Sequence, residues 1–317
     1  MATSTSMQQA VPRSKHGPMP NPLLSVMSWE LRRRLMGYSL WITALLLFLC
    51  TLMFMWLGQF KAFMDQKAGV AVAGTTPYGL MFELPGVLML WFAVLVPFIA
   101  ADLASFDVKR RTHEVLMASA LSSRAYIWGR YLAGLCIFLF LSLLLLLAII
   151  VMAFALHSFL WLGLDPGDLV DYPVPNVGAI ILIWAIVVLP AVLLSASISY
   201  LVGTLFPVAT TAIKVLVIFC WLAAWLFGAT LSSNIWLAPF DPTSNSMNQA
   251  YTPFYMAQYL ARAQHVPLTL RTAIGYSVQQ IVPDLWPWIV VHTGYILLSI
   301  ALVFVTLRQF RRFHNAV

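Results

Sequence analysis

Long apolar runs separated by short polar stretches dominate the hydrophobic pattern of this chain. Six runs lie at about 38–58, 84–101, 131–156, 177–202, 212–230 and 286–307. Each is about as long as the roughly 20 apolar residues that a helix needs to cross a hydrocarbon core of about 30 Å. A helix satisfies its own backbone hydrogen bonds in lipid, whereas an open sheet does not. The pattern therefore predicts an all-α polytopic membrane protein with six transmembrane helices.

Composition supports the same class. Hydrophobic residues make up 61% of the chain and charged residues only 9%, whereas a soluble domain carries about 25% charged residues. Such a chain cannot cover a water-facing surface. Its three cysteines (Cys50, Cys136 and Cys220) all fall inside predicted spans and lack the spacing of a zinc or redox motif. They are interpreted as small apolar packing residues.

The distribution of basic residues predicts the orientation. Six spans place both termini on one side, and that side holds 14 of the 18 Lys and Arg residues. Basic residues near helix ends favour the cytoplasm, so we expect a multi-pass protein of the cytoplasmic (inner) membrane with both termini cytoplasmic. The net charge of +7 then reflects orientation and anionic headgroups. Nucleic-acid binding is not expected, because the basic residues are dispersed along helix ends.

The remaining segments divide the chain. Residues 1–21 are rich in Ser, Met, Gln and Pro and are predicted to form a disordered tail before the six-span domain at 22–317. Asn21-Pro22 is typical of a helix start and predicts an interfacial helix at 22–36; the alternative is a solvated basic flank. The long extracellular loop at 231–285 is predicted to carry short interfacial or re-entrant helices.

Two spans carry further local signals. Glu83-Leu84-Pro85 resembles a helix N-terminus and predicts the start of span two. In span four, Pro190 is expected to bend the helix. It lies beside a stripe of small residues spaced four apart, which favours close packing of two helices: Ala191, Ser195, Ser199 and Gly203.

Familiar catalytic and energy-coupling motifs are missing from the sequence. It contains no phosphate-binding loop, not even a Gly-Lys pair, and no zinc or serine hydrolase motif. Within the spans, the ionisable residues are His292 and Lys214. Lys214 can extend to the interface. His292 is interpreted as a hydrogen-bonded packing residue, with a proton relay or ligand as the alternative.

A charged segment at 102–130 separates spans two and three. Together with the topology, it resembles the membrane subunit of ABC-2-type ABC transporters, in which a Gly-Thr, an acidic residue and Leu-Leu precede Pro-x-Ser-Arg and Gly-Lys-Leu-Ala. Here Arg111 replaces the glycine, and no proline precedes Ser122. The resemblance covers about 22–312 and rests on Thr112-His113-Glu114-Val115-Leu116-Met117-Ala118-Ser119, Ser122-Ser123-Arg124 and Gly129-Arg130-Tyr131-Leu132-Ala133.

The resemblance implies a cytoplasmic coupling segment at 102–123 that docks on a separate ATPase subunit. The implied coupling residues are Lys109, Arg110, Arg111, Glu114, Leu116 and Arg124, with Arg124 orienting the chain as it re-enters the membrane. The implied function is that of an exporter permease, not an enzyme. ATP and Mg would be bound by the partner ATPase, with no cofactor in this chain. A second membrane subunit, identical or different, would complete the working unit.

Two other functions stay open from the residues alone. A membrane-embedded enzyme would use the outer loops, with His265, His292 or the aspartates at 165, 168 and 171 as its chemistry. A channel or secondary carrier would work without an ATPase. An apolar and aromatic path would suit lipidic, amphiphilic or peptide-like cargo.

Overall fold

Helices account for all the regular secondary structure in the ranges that the computed structural model describes, which are 21–66, 76–90, 122–158, 173–206 and 209–314. Two 3-10 turns, Ala229–Ser233 and Ala238–Phe240, lie between α6 and α7. In chain order the helices are α1 (Pro22–Leu35), α2 (Tyr38–Gln66), α3 (Pro77–Leu90), α4 (Ser123–Ser158), α5 (Val177–Leu205), α6 (Thr210–Gly228), α7 (Asn245–Ala263), α8 (Leu268–Gln279) and α9 (Trp286–His314).

Five segments are long and apolar enough to cross a membrane: Tyr38–Gly58, Ser123–Ser158, Val177–Leu205, Lys214–Ser233 and Trp286–Phe310. They confirm the prediction of a helical multi-pass membrane protein. The remaining predicted span, at 84–101, is described only to Leu90, and the predicted coupling segment only from Ser122 onward. The six-span layout stays a prediction.

The helix start predicted at Glu83 is wrong, because α3 begins at Pro77. The Thr76 hydroxyl accepts a hydrogen bond from the Gly79 amide at 3.1 Å, and the Thr76 carbonyl accepts from the Leu80 amide at 2.9 Å. Thr76-Pro77 is thus the cap followed by an N-terminal proline. Glu83 is buried inside the helix instead, and Pro85 lies in its interior.

Helix α4 lies at the centre of the described bundle and contacts α1, α2, α5 and α9. The most extensive contact among the described helices joins α5 to α9. Leu145, Ala153 and Val187 are fully buried in the main core, while Phe219 and Phe227 of α6 and Leu297 of α9 are exposed. In a multi-pass membrane protein, such apolar outer faces suit contact with lipid.

Helices α7 and α8, which follow the span containing α6, pack on each other and on α3. Tyr251 donates to the Asp284 carbonyl and Tyr255 to the Ile281 carbonyl, each at 2.6 Å. Burial raises the pKa of both phenols, so they act as neutral donors. Helical structure was predicted between spans five and six, and these two helices confirm it.

Candidate functional site

Only the membrane-proximal end of the predicted coupling region is described. Lys109, Arg110, Arg111, Glu114 and Leu116 lie outside the described residues, whereas Arg124 is exposed in the first turn of α4. Ser122 caps this helix, since its hydroxyl accepts from the Ala125 amide at 3.2 Å and its carbonyl from the Tyr126 amide at 3.1 Å. This cap fixes where the chain enters α4.

A glycine allows α1 to lie directly on the first turns of α4. A Cβ atom built on Gly129 would lie 2.8 Å from Val26 Cβ and 3.0 Å from the Leu23 carbonyl oxygen. The first distance is shorter than real Cβ contacts, and the second would require its neighbour to shift by a few tenths of an ångström. Any larger residue at position 129 would push the two helices apart, so the absence of a side chain sets their separation.

The same contact contains a buried carboxylate. Glu30 of α1 is 0% exposed. Its Oε1 accepts from Arg33 Nη2 at 2.5 Å and from Arg34 Nε at 3.3 Å. Its Oε2 lies 3.7 Å from Nη2 of Arg130, a residue of α4 that is itself 1% exposed. Burying a charge costs several kcal/mol unless it is well paired, so the burial of Glu30 between α1 and α4 depends on its arginine partners.

Aromatic packing holds Arg130 in place and extends the contact to other helices. The Arg130 guanidinium lies 4.8 Å from the centre of the Tyr126 ring, a cation–π arrangement. Trp128 packs edge-on against Phe304 of α9 at 5.4 Å, and the Tyr200 hydroxyl of α5 donates to the Ile127 carbonyl at 3.2 Å. We call the contact formed by Val26, Glu30, Gly129 and Arg130 the α1–α4 junction.

Sequence reasoning missed this junction. It used the arginines at 32–34 and Arg130 as basic residues that predict orientation. One signal was present, because Glu30 precedes Arg33 and Arg34 by three and four residues, the spacing of neighbours on a helix surface. Nothing local in the sequence links Glu30 to Arg130.

The junction makes a testable prediction at Gly129. Replacing Gly129 with Ala should lower the free energy of unfolding by about 1–3 kcal/mol, the usual cost of overpacking, because the new methyl group meets Val26. Thermal or denaturant unfolding in detergent micelles measures the change.

The matched control is Gly294→Ala in α9, where an added Cβ meets nothing within 4 Å. That variant should be neutral or more stable by up to about 1 kcal/mol, since Ala favours helix. Equal stability of Gly129→Ala and wild type would contradict the close approach of α1 and α4.

Within the membrane-spanning segments, His292 of α9 contacts α5 where that helix departs from regular α-helical hydrogen bonding. Residues Trp184–Val188 form a π-helical turn, and Pro190 has no amide to donate to the Ile186 carbonyl four residues earlier. His292 Nδ1 lies 2.6 Å from that carbonyl oxygen. The imidazole thus supplies the donor that proline removes, in the tautomer with the proton on Nδ1. His292 is a hydrogen-bonded packing residue, as sequence reasoning favoured.

The stripe of small residues follows this turn. Ala191, Ser195, Ser199 and Gly203 are all buried in the described structure, on the helix that packs most extensively against α9. Pro190 itself is also buried. The placement agrees with a packing role; the proposed close approach of two helices along this stripe stays a prediction.

A double-mutant cycle tests the hydrogen bond between His292 and the Ile186 carbonyl, which Pro190 leaves without an amide donor. His292→Phe should lower the free energy of unfolding by about 1–3 kcal/mol, because the Ile186 carbonyl loses its donor. In a Pro190→Ala background, the restored amide can serve that carbonyl, so the loss should be smaller. An equal loss in both backgrounds would contradict the pairing. Thr293→Val, on the exposed face of the same turn, is the control and should change little.

Residues that an enzyme would use are not brought together among the described parts of the chain. His265 is exposed beyond the end of α7, and His292 is buried in α9. The aspartates at 165, 168 and 171 lie outside the described residues. A further buried acid, Asp241, accepts from the Thr243 and Ser246 amides, each at 2.9 Å. That carboxylate shapes the turn into α7.

Comparison with protein-family models gives no match to this sequence, and no curated protein matches it. The resemblance to ABC-2-type permeases therefore rests on the residues and the topology given above.

Proposed function

We propose that this chain is the membrane permease subunit of an ATP-driven ABC exporter of the ABC-2 type. It forms the translocation path together with a second membrane subunit and couples to a separate ATPase subunit, which binds ATP and Mg. Both termini lie in the cytoplasm, and the cargo is lipidic, amphiphilic or peptide-like.

The α1–α4 junction is the observation that carries this proposal. A permease that is driven from outside must pass a movement of its cytoplasmic segment into the membrane helices. Helix α4 begins at Ser123, at the end of the proposed coupling segment, and its first turns are bound to α1 through Glu30 and Gly129. A push on this segment would therefore move α1 and α4 together.

Contacts beyond the junction extend this path. The Tyr131 hydroxyl lies 2.8 Å from Ser197 Oγ of α5, and the Tyr126 ring stacks on Phe310 of α9 at 5.6 Å. These contacts join the start of α4 to two further spanning helices. Rigid-body movement of helices is a common way of carrying such a signal, and the contacts support it here.

The proposal predicts the effect of a charge reversal in the coupling segment. Glu114→Arg should leave the protein inserted in the membrane but reduce its association with the ATPase, because the reversal replaces a carboxylate of the proposed contact surface with a positive charge. A buried or interfacial charge reversal typically costs several kcal/mol, so we expect at least a tenfold loss of association. Co-purification of the ATPase and ATP-dependent transport in vesicles measure it.

Arg262→Glu is the matched control, a reversal of equal size on α7 in the predicted extracellular loop, where Arg262 is exposed. It should keep the ATPase and transport. Unchanged association and transport in Glu114→Arg would argue against the coupling segment. A purified chain that moves solute unaided would instead favour a channel or secondary carrier.

A further inference from the structure

A small cavity lies between α1, α2 and α4, beside the turn of α1 that comes after Glu30. Its volume is about 150 Å³. Two aliphatic residues, two arginines and two hydroxyl-bearing residues are among those that line it. The full set of lining residues is Arg33, Arg34, Gly37, Ser39, Leu40, Thr43 and Ile137.

The charge around this cavity is strongly positive. Between residues 21 and 58, Glu30 is the acidic residue and Arg32, Arg33 and Arg34 are the basic ones. Glu30 also faces Arg130, so a single carboxylate is shared among several guanidinium groups. Each guanidinium carries five N–H donors in a planar fork, and the side chains of Arg33 and Arg34 remain about a quarter exposed.

The start of α2 adds to the positive electrostatic potential around the cavity. Ser39, Leu40 and Thr43 lie in its first turns, and no acidic residue occurs in the first turn. The N-terminal amides of a helix and its dipole favour an anion. Two arginines, two hydroxyl-bearing residues and this helix end therefore border one cavity, and donors of these kinds bind the oxygens of a phosphate group.

Aromatic residues around the cavity indicate its depth in the bilayer. Trp29, Tyr38 and Trp41 are all more than half exposed, and Tyr38 is 85% exposed. The Trp41 indole donates to the Leu35 carbonyl at 2.9 Å. Exposed Trp and Tyr beside an apolar span are typical of the headgroup layer. These residues place the cavity at the depth expected for lipid phosphates.

We propose that this cavity binds a phosphate group, and that the phosphate is that of an anionic lipid headgroup. Arg33 and Arg34 contact the phosphate oxygens, Ser39 and Thr43 donate hydroxyl hydrogen bonds, and the lipid stabilises α1 against α2 and α4. Basic pockets between transmembrane helices are suited to such headgroups. This inference does not depend on transport or on an ATPase.

The test is a lipid titration of the delipidated protein in neutral detergent, followed by thermal unfolding. Dioleoyl phosphatidylglycerol should raise the unfolding midpoint of the wild type with saturation, whereas dioleoyl phosphatidylcholine should not. Arg34→Gln should raise the half-saturating concentration of phosphatidylglycerol about fivefold or more, in keeping with the contribution of one basic residue near an anionic headgroup. Arg32→Gln, on the same helix but exposed outside the cavity, should leave it unchanged.

A second variant separates binding from folding, because Arg34 also donates to Glu30. Thr43→Leu keeps every charge but fills the cavity and removes a hydroxyl. It should raise the half-saturating concentration of phosphatidylglycerol to a similar degree. Equal half-saturating concentrations in wild type, Arg34→Gln and Thr43→Leu would overturn the site. Saturation by inorganic phosphate alone, with no added gain from phosphatidylglycerol, would overturn the lipid as its source.

Discussion

Burial of the Glu30 carboxylate is the constraint on which the α1 end of this protein depends. A carboxylate with 0% exposure is tolerated only beside positive partners. Without them, the free-energy cost of desolvation exceeds the stabilisation that packing provides. Two of its partners, Arg33 and Arg34, come from its own helix, and the third, Arg130, comes from α4. The pair with Arg130 is the one of these contacts that joins α1 to α4. The ion pair and the glycine contact at Gly129 therefore define one position for α1.

In this position α1 is bound to a spanning helix, so it does more than rest on the membrane surface. An amphipathic helix that only lies on a bilayer is held by apolar contact and headgroup attraction, and it moves freely relative to the spans. Here α1 is bound to the span that begins where the proposed coupling segment ends. The proposed lipid in the adjacent cavity would strengthen the same assembly from the membrane side, through Arg33 and Arg34.

How much the sequence predicts depends on whether a signal is local. Asn21 caps α1 as predicted, because a cap depends on residues two to four positions away. The start of α3 was misplaced, since Thr76-Pro77 and Glu83-Leu84-Pro85 offer competing starts and only the fold selects between them. The contact between Glu30 and Arg130 and that between His292 and Ile186 join distant segments, so no periodicity or spacing reveals them. The coupling residues from Lys109 to Leu116 lie outside the described residues and stay a prediction.

The most direct test of the account is a double-mutant cycle between Glu30 and Arg130. Free energies of unfolding would be measured in mixed micelles for Glu30→Gln, Arg130→Gln and the double variant, with exposed Arg32→Gln as control. The account predicts that each single variant is destabilised and that the double variant loses less than the two losses combined, by about 1 kcal/mol or more. Additive losses would show that Glu30 and Arg130 do not hold α1 on α4, and would contradict it.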